Sequence, residues 1–256
     1  MTKTPFAVVA LMVTAMRTAA VADAAEIKVL SALAFKPSLS ELAGEFERTS
    51  GHKLTFAYGS AGAIRDRIQG GEVADVALSS KPMMEALIAS GKIPTGTTVS
   101  LAQSLVAVAI RAGSPKPDIS SVDAFKRAML SVKSIAHPDP TKGFLSGIHM
   151  ADVFARLGII DQMKAKAKLM PGREACELVA KGEIEVAITQ VTEILAIPGV
   201  EVAGVLPKEL QNTSDFAFSA GVTTNAREPD AARALLRFLT SPAAMKVIKA
   251  NGMEPG

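Results

Sequence analysis

Between Glu26 and Ser90, short β-type runs alternate with helical stretches three times over, and this alternation constrains the fold more than any other feature. The strands read as Glu26 to Ala32, Lys53 to Ala57 and Val73 to Leu78. The helices read as Leu39 to Phe46, opened by Ser38 or Ser40 as cap, then Ala61 to Gln69, then Met83 to Ser90. Strand and helix in strict turn predict an α/β protein whose parallel sheet is covered by helices. Ligands of such sheets sit beyond the C-terminal strand ends. Three turns follow those ends here: Leu33 to Ser38, read as a loop, Gly59 to Gly62, and Ser79 to Lys81.

The turn Gly59-Ser60-Ala61-Gly62 is the most informative of the three. Ser60 is a good helix cap, since its hydroxyl can accept from an orphan amide. Gly59 and Gly62 let a ligand approach the backbone, where amides and helix dipole favour negative charge. An anion seat is one reading; an ordinary capped helix is the plainer one. Convergence of three such turns on one sheet edge favours the anion.

The alternation restarts after about residue 104. Ser104 to Ile110, Ser134 to His137, Glu185 to Thr189, Val200 to Val205 and Asp215 to Val222 read as strands. Val122 to Met129, Ser146 to Leu157, Gly172 to Lys181, Glu228 to Leu239 and Pro242 to Lys249 read as helices. The Ser146 helix shows Ile148, Val153, Phe154 and Leu157 as its apolar set. The restart predicts two lobes, and Asp139 to Ser146 repeats the small-residue strand-to-helix turn. Two such turns facing each other across a cleft would cage a small ligand.

Composition removes several classes. Trp is absent and Tyr occurs once, so aromatic stacking platforms are not expected. Formal charge is +3 with no basic run, which argues against a nucleic-acid groove. A single cysteine, Cys176, excludes an internal disulfide and a multi-cysteine metal site. The three histidines, His52, His137 and His149, lack metal-ligand spacing, and no metal or cofactor is expected. Lys3, the apolar run Phe6 to Met16 and Ala22-Asp23-Ala24 fit an export leader over residues 1–24. That apolar run is too short to span a bilayer. A soluble periplasmic protein follows.

Three strings carry a family resemblance. GSAGAIRDRIQGGEVADVALSS resembles the second and third ligand loops of the periplasmic molybdate-type solute-binding proteins. DPTKGFLSGIHMADVFARLG resembles their second-lobe loop and helix, and LLRFLTSPAAMKVIKANGMEP their C-terminal end. The resemblance implies a two-lobed, type 2 periplasmic-binding fold, each lobe a mainly parallel sheet flanked by helices, with the ligand in the cleft. It implies lobe 1 over 25–105 plus 220–256 and lobe 2 over 106–219, joined by two hinge crossovers. It also implies a small anionic ligand, a membrane ABC permease as partner, and a monomer.

The ligand set carried over on this basis is Ala34, Phe35, Lys36, Ser60, Ala61, Gly62, Ser79 or Ser80, Lys142, Ser146, Arg173 and Gln190. Two positions depart from the family. A serine of its first loop is Ala34 here, and its second-lobe tyrosine position falls on Gln190. Molybdate is held in that family by neutral donors. Lys36, with Lys142 or Arg173, suits a di- or tricarboxylate better, since charge-assisted hydrogen bonds are the stronger kind. Each lysine is otherwise a solvated surface group.

SLAQSLVAVAIRAGSPKPDISSVDAFKRAML and TQVTEILAIPGVEVAGVLP are similar to a second branch of the superfamily, which includes a periplasmic aconitate isomerase. An enzyme of that kind needs a cationic clamp, from Lys36, Arg65, Lys142 or Arg173. It also needs a proton-exchanging group, from His137, Lys142 or Glu193.

Overall fold

The computed structural model describes residues 24–255, so the leader expected over 1–24 lies outside the described residues except for Ala24. The chain opens with β1 (Glu26–Ala32), a 3₁₀ turn (Leu33–Phe35) and α1 (Lys36–Ser50), followed by β2 (Lys53–Gly59) and α2 (Ala61–Gln69). Next come β3 (Val76–Ser80), α3 (Lys81–Ala89) and β4 (Val99–Gln103), then β5 (Val106–Arg111), α4 (Val122–Ser131) and β6 (Ile135–His137). A second 3₁₀ turn (Pro140–Lys142) leads into α5 (Leu145–Arg156), α6 (Ile160–Lys164), β7 (Ala167–Leu169) and α7 (Gly172–Lys181). The rest is β8 (Val186–Gln190), α8 (Val191–Leu195), β9 (Val200–Val205), β10 (Ala217–Val222), α9 (Pro229–Leu239), α10 (Pro242–Ala250) and β11 (Glu254–Pro255).

The strands form two sheets, one per lobe. The first runs β11-β4-β10-β3-β1-β2 and the second β7-β6-β8-β5-β9. Both are mixed, but most strands of each run one way, as expected. In the first, β2, β1, β3 and β4 run one way, while β10, between β3 and β4, and the edge strand β11 run the other. In the second, β7, β6, β8 and β9 run one way and β5, between β8 and β9, runs the other. The reason is the crossover. A strand arriving from the other lobe does not enter through a strand–helix–strand unit, the connection that keeps neighbours parallel.

Helices cover both faces of each sheet. On one face of the first, Leu39, Leu42 and Phe46 of α1 pack with Leu235, Leu236 and Leu239 of α9. On the other, Ile64 and Ile68 of α2 meet Met84 and Leu87 of α3. The second sheet is covered by α4 and α5 through Phe125, Met150 and Phe154, and by α7 through Ala175, Cys176 and Val179. Burial pushes the Cys176 thiol pKa up, as for a small core residue. Among the described residues, no helix is long and apolar enough to cross a membrane.

Several local expectations shift. Leu33 to Ser38 is no open loop: the 3₁₀ turn runs straight into α1, with Pro37 in the first turn, where its missing amide costs nothing. Neither Ser38 nor Ser40 caps α1; Phe35 stands at that position. The third strand begins at Val76, directly after Asp75, whose carboxylate is buried. It accepts from the amides of Lys28, Arg227 and Glu228 at 2.8, 2.7 and 2.9 Å. Ile148 is 49% exposed, and Met150 takes the inward place assigned to it. The run Ser104 to Ile110 becomes β5, and β4, just before it and not read from the sequence, belongs to the other sheet.

Register sets the site. β1 pairs with β2 from Glu26 opposite Lys53 to Ala32 opposite Gly59, so both strands end level and their turns lie side by side. In the second lobe, Val106 pairs with Gln190, which puts the end of β8 beside the crossover.

Candidate functional site

Where the lobes meet lies a cavity of about 20 Å³. Its wall is made by the starts of helical segments. Ala32, Leu33 and Ala34 open the first 3₁₀ turn, and Gly59, Ser60 and Ala61 open α2. From the second lobe come Phe144, Leu145 and Ser146 at the start of α5, and Gln190 before α8. Glu193 and Phe218 complete it. Each helix start leaves backbone amides without an intrahelical partner and carries the positive end of the dipole. Their convergence suits an anion.

Ser60 does two jobs. Its oxygen accepts from the Ala63 amide at 3.1 Å as the α2 cap, and its hydroxyl donates across the cleft to the Lys142 carbonyl at 2.9 Å. Beside it the Gly62 amide lies 3.4 Å from the Gly143 carbonyl, and a methyl on Gly62 would meet the Gly143 Cα at 3.2 Å. The lobes therefore close backbone to backbone, which only glycines permit.

A second cavity, of about 30 Å³, adjoins the first and shares Leu33 and Glu193 with it. Its wall holds Lys36, Pro37, Pro171, Arg173, Thr192 and Ala196. The Lys36 ammonium lies 5.5 Å from the centroid of the Tyr58 ring, a cation–π placement. Burial pushes the Tyr58 pKa up. Arg173 is about half exposed, with Nε 3.7 Å from Glu177 Oε1.

Glu193 is 8% exposed. It accepts hydrogen bonds from the Thr189 hydroxyl and the Gln190 amide. Burial raises its carboxyl above the usual range; those two hydrogen bonds and Arg173 oppose the shift without cancelling it. Gly172 has to lack a side chain, because a Cβ there would run into Thr189 Oγ1 and Glu193 Oε2.

Of the residues singled out in the sequence, Ala34, Ser60, Ala61, Ser146 and Gln190 line the inner cavity, Lys36 and Arg173 the outer one, and Gly62 the lobe contact. Others are corrected. Phe35 is core, packed edge-on against Phe218 with centroids 5.4 Å apart. Ser79 is buried behind the site and donates to the Ala61 carbonyl at 3.2 Å. Ser80 precedes α3, fully buried, and lines neither cavity. Lys142 contributes its carbonyl, while the residue itself is exposed. Arg65 pairs with Asp66 at 2.6 Å. His137 lines a separate cavity of about 140 Å³ with Phe154, Met163 and Leu169. Its Nδ1 lies 3.0 Å from the Pro138 carbonyl, and burial lowers its pKa. His137 is therefore displaced from the exchanging role. Thr192 and Gly172 carried no signal in the sequence, since their significance lies in what packs against them.

A two-lobed α/β protein with its site in the cleft is a binding-protein architecture. The chain belongs to the bacterial extracellular solute-binding protein family, whose family model matches residues 27–254. It is 35% identical over 235 residues to an aconitate isomerase of Pseudomonas sp, covering 90% of this chain and 87% of that one. It is 30% identical over 247 residues to the molybdate-binding protein ModA of Azotobacter vinelandii, covering 91% and 92%. The solved periplasmic molybdate-binding protein of Azotobacter vinelandii superposes with a TM-score of 0.74 at 22% identity, over 90% of this chain and 99% of that one. The family resemblance and the two-lobed fold expected from the sequence are borne out.

Proposed function

We propose that this protein is an exported, periplasmic receptor that closes its lobes on one small carboxylate anion and delivers it, as a monomer, to a membrane ABC permease. Lobe 1 takes 25–105 plus 220–256 and lobe 2 takes 106–219, hinged at the two crossovers. The observation that carries the reading is the convergence of helix starts from both lobes on one cavity. Family membership and the leader-like N-terminus support export and transport.

A carboxylate is favoured over a tetrahedral oxyanion on three grounds. Ala34 offers no hydroxyl, Lys36 and Arg173 stand at the adjoining cavity, and the inner cavity is small. At about 20 Å³ it has room for one or two water-sized groups. Titration calorimetry with acetate, succinate, tricarballylate, cis-aconitate, sulfate, tungstate and molybdate decides it. Binding by none of them would overturn the receptor; tight molybdate binding without any carboxylate would overturn the ligand class.

A second reading, an isomerase, is favoured by Glu193, a buried carboxyl with a raised pKa in the wall of both cavities. A relative named aconitate isomerase supports it. Moving a double bond requires a base to take a proton from the allylic carbon. The electron pair shifts along the chain, and an acid returns a proton to the far carbon. In this reading Glu193 takes and returns that proton. Incubation with cis-aconitate in deuterated water tests this: trans-aconitate or deuterium uptake marks an enzyme, and saturable binding with neither marks a receptor.

A further inference from the structure

The cavity of about 140 Å³ in lobe 2 is walled by residues of α5, α6 and the edge strand β7, and it shares none of them with the two cleft cavities. Seven of its nine lining residues are apolar. Phe154 and Met163 are core residues, 2% and 1% exposed, while Leu169 in the same wall is 50% exposed. Apolar space of about 150 Å³ takes a benzene-sized ring rather than water. The two exceptions in the wall are Lys164, which is exposed, and His137, 6% exposed.

The Pro138 carbonyl, 3.0 Å from His137 Nδ1, can only accept, so Nδ1 holds the proton and donates. Burial lowers the pKa and favours the neutral ring, which leaves Nε2 as a lone-pair acceptor. Nε2 has no partner among the described residues and, unlike the Gln190 side-chain oxygen, is not sealed. A ring this deeply buried therefore offers the cavity one open acceptor. It stands edge-on to Phe154, with centroids 5.7 Å apart.

We infer that this cavity is a second ligand site, separate from the cleft, for a small phenol: one aromatic ring carrying one hydroxyl donor. The ring is buried against Phe154 and Met163, since an aromatic neighbour and a thioether both suit an aromatic ligand. The hydroxyl donates to His137 Nε2, which a hydrocarbon would leave unpaired. The inference does not depend on what the cleft binds.

The test is titration calorimetry of the purified protein with phenol, toluene and benzoate, together with nitrogen NMR of the imidazoles. The same measurements are made on His137→Phe and Ala151→Met. Phenol is expected to bind one site about fivefold more tightly than toluene, the scale of one hydrogen bond, and to shift a single imidazole signal. His137→Phe keeps an aromatic ring without the acceptor, so phenol should fall to the toluene level and the shifted signal should vanish. Ala151→Met lengthens a side chain of the wall and should weaken both aromatics. Should His137→Phe fail to fold, Ala151→Met and the wild-type imidazole signal still decide. Phenol no tighter than toluene, or phenol binding unchanged by Ala151→Met, overturns the site as proposed. So does benzoate binding more tightly than phenol, which would make Lys164 the anchor, and so does binding by none of the three.

Discussion

The Ser60 hydroxyl donates to the Lys142 carbonyl at 2.9 Å, joining residues 82 positions apart across the cleft. The same oxygen accepts from the Ala63 amide, so one side chain both starts α2 and latches the lobes. Ser60→Ala removes both functions and should cost about 1 kcal/mol of stability, the scale of a lost helix cap. Ser60→Gly keeps most of the cap value, since glycine costs only a few tenths of a kcal/mol there. Ser60→Gly should therefore melt near wild type yet bind ligand more weakly. Thermal melts beside calorimetry check this; equal affinity in Ser60→Gly and wild type would show the latch to be idle.

Gly62→Ala should separate stability from closure. Gly62 lies in the first turn of α2, where alanine stabilises a helix by up to about 1 kcal/mol. Its methyl, however, would meet Gly143 Cα at 3.2 Å and prop the lobes apart. The expected outcome is an unchanged or higher melting temperature with weaker ligand binding. Small-angle scattering with ligand present should show a less closed particle.

Glu193 gives the protein a pH dependence of known sign. Its carboxyl is raised above the ordinary 4.5, first by burial, so the folded state binds the proton more tightly than the unfolded chain. Stability from this group is therefore greatest below 4.5 and falls as pH rises from 4.5 through the raised folded value. Glu193→Gln, always neutral, should remove that fall. Denaturant midpoints from pH 4 upward should slope less in the variant; parallel curves would show that the carboxyl does not titrate there.

Asp75 holds the lower edge of the first sheet. Its carboxylate takes amides from the β1 residue Lys28 and from Arg227 and Glu228 ahead of α9. Asp75→Ala would leave three donors unpaired, and the expected loss is about 3 kcal/mol or more, from 1–3 kcal/mol for each buried unsatisfied group. Urea denaturation measures it. A loss below about 1 kcal/mol would mean that water replaces the carboxylate without strain.

The elements themselves were legible wherever periodicity and punctuation are local. β1, α7 and β9 fall on the bounds read from Glu26 to Ala32, Gly172 to Lys181 and Val200 to Val205. Ser60 caps α2 and Gly51 ends α1 with φ 77°, as small capping residues and a stop glycine imply. The anion-suited turns were legible for the same reason: a strand end, small residues and a helix start lie within a few positions of one another.

What packs on what was decided only by tertiary structure. Ser104 to Ile110 became β5 of the second sheet while β4 just before it, not read from the sequence, joined the first, since apolar periodicity marks a buried face without naming the sheet that buries it. His137 and Glu193 look alike in the sequence as titratable residues near turns. Packing sends His137 to the far cavity beside Phe154 and seals Glu193 against Gly172 at the cleft. The sequence by itself determined an α/β chain with donor-rich turns at its strand ends. Tertiary structure alone decided which of those turns face each other, because burial, desolvation and the Ser60 to Lys142 bond belong to residues far apart in the chain.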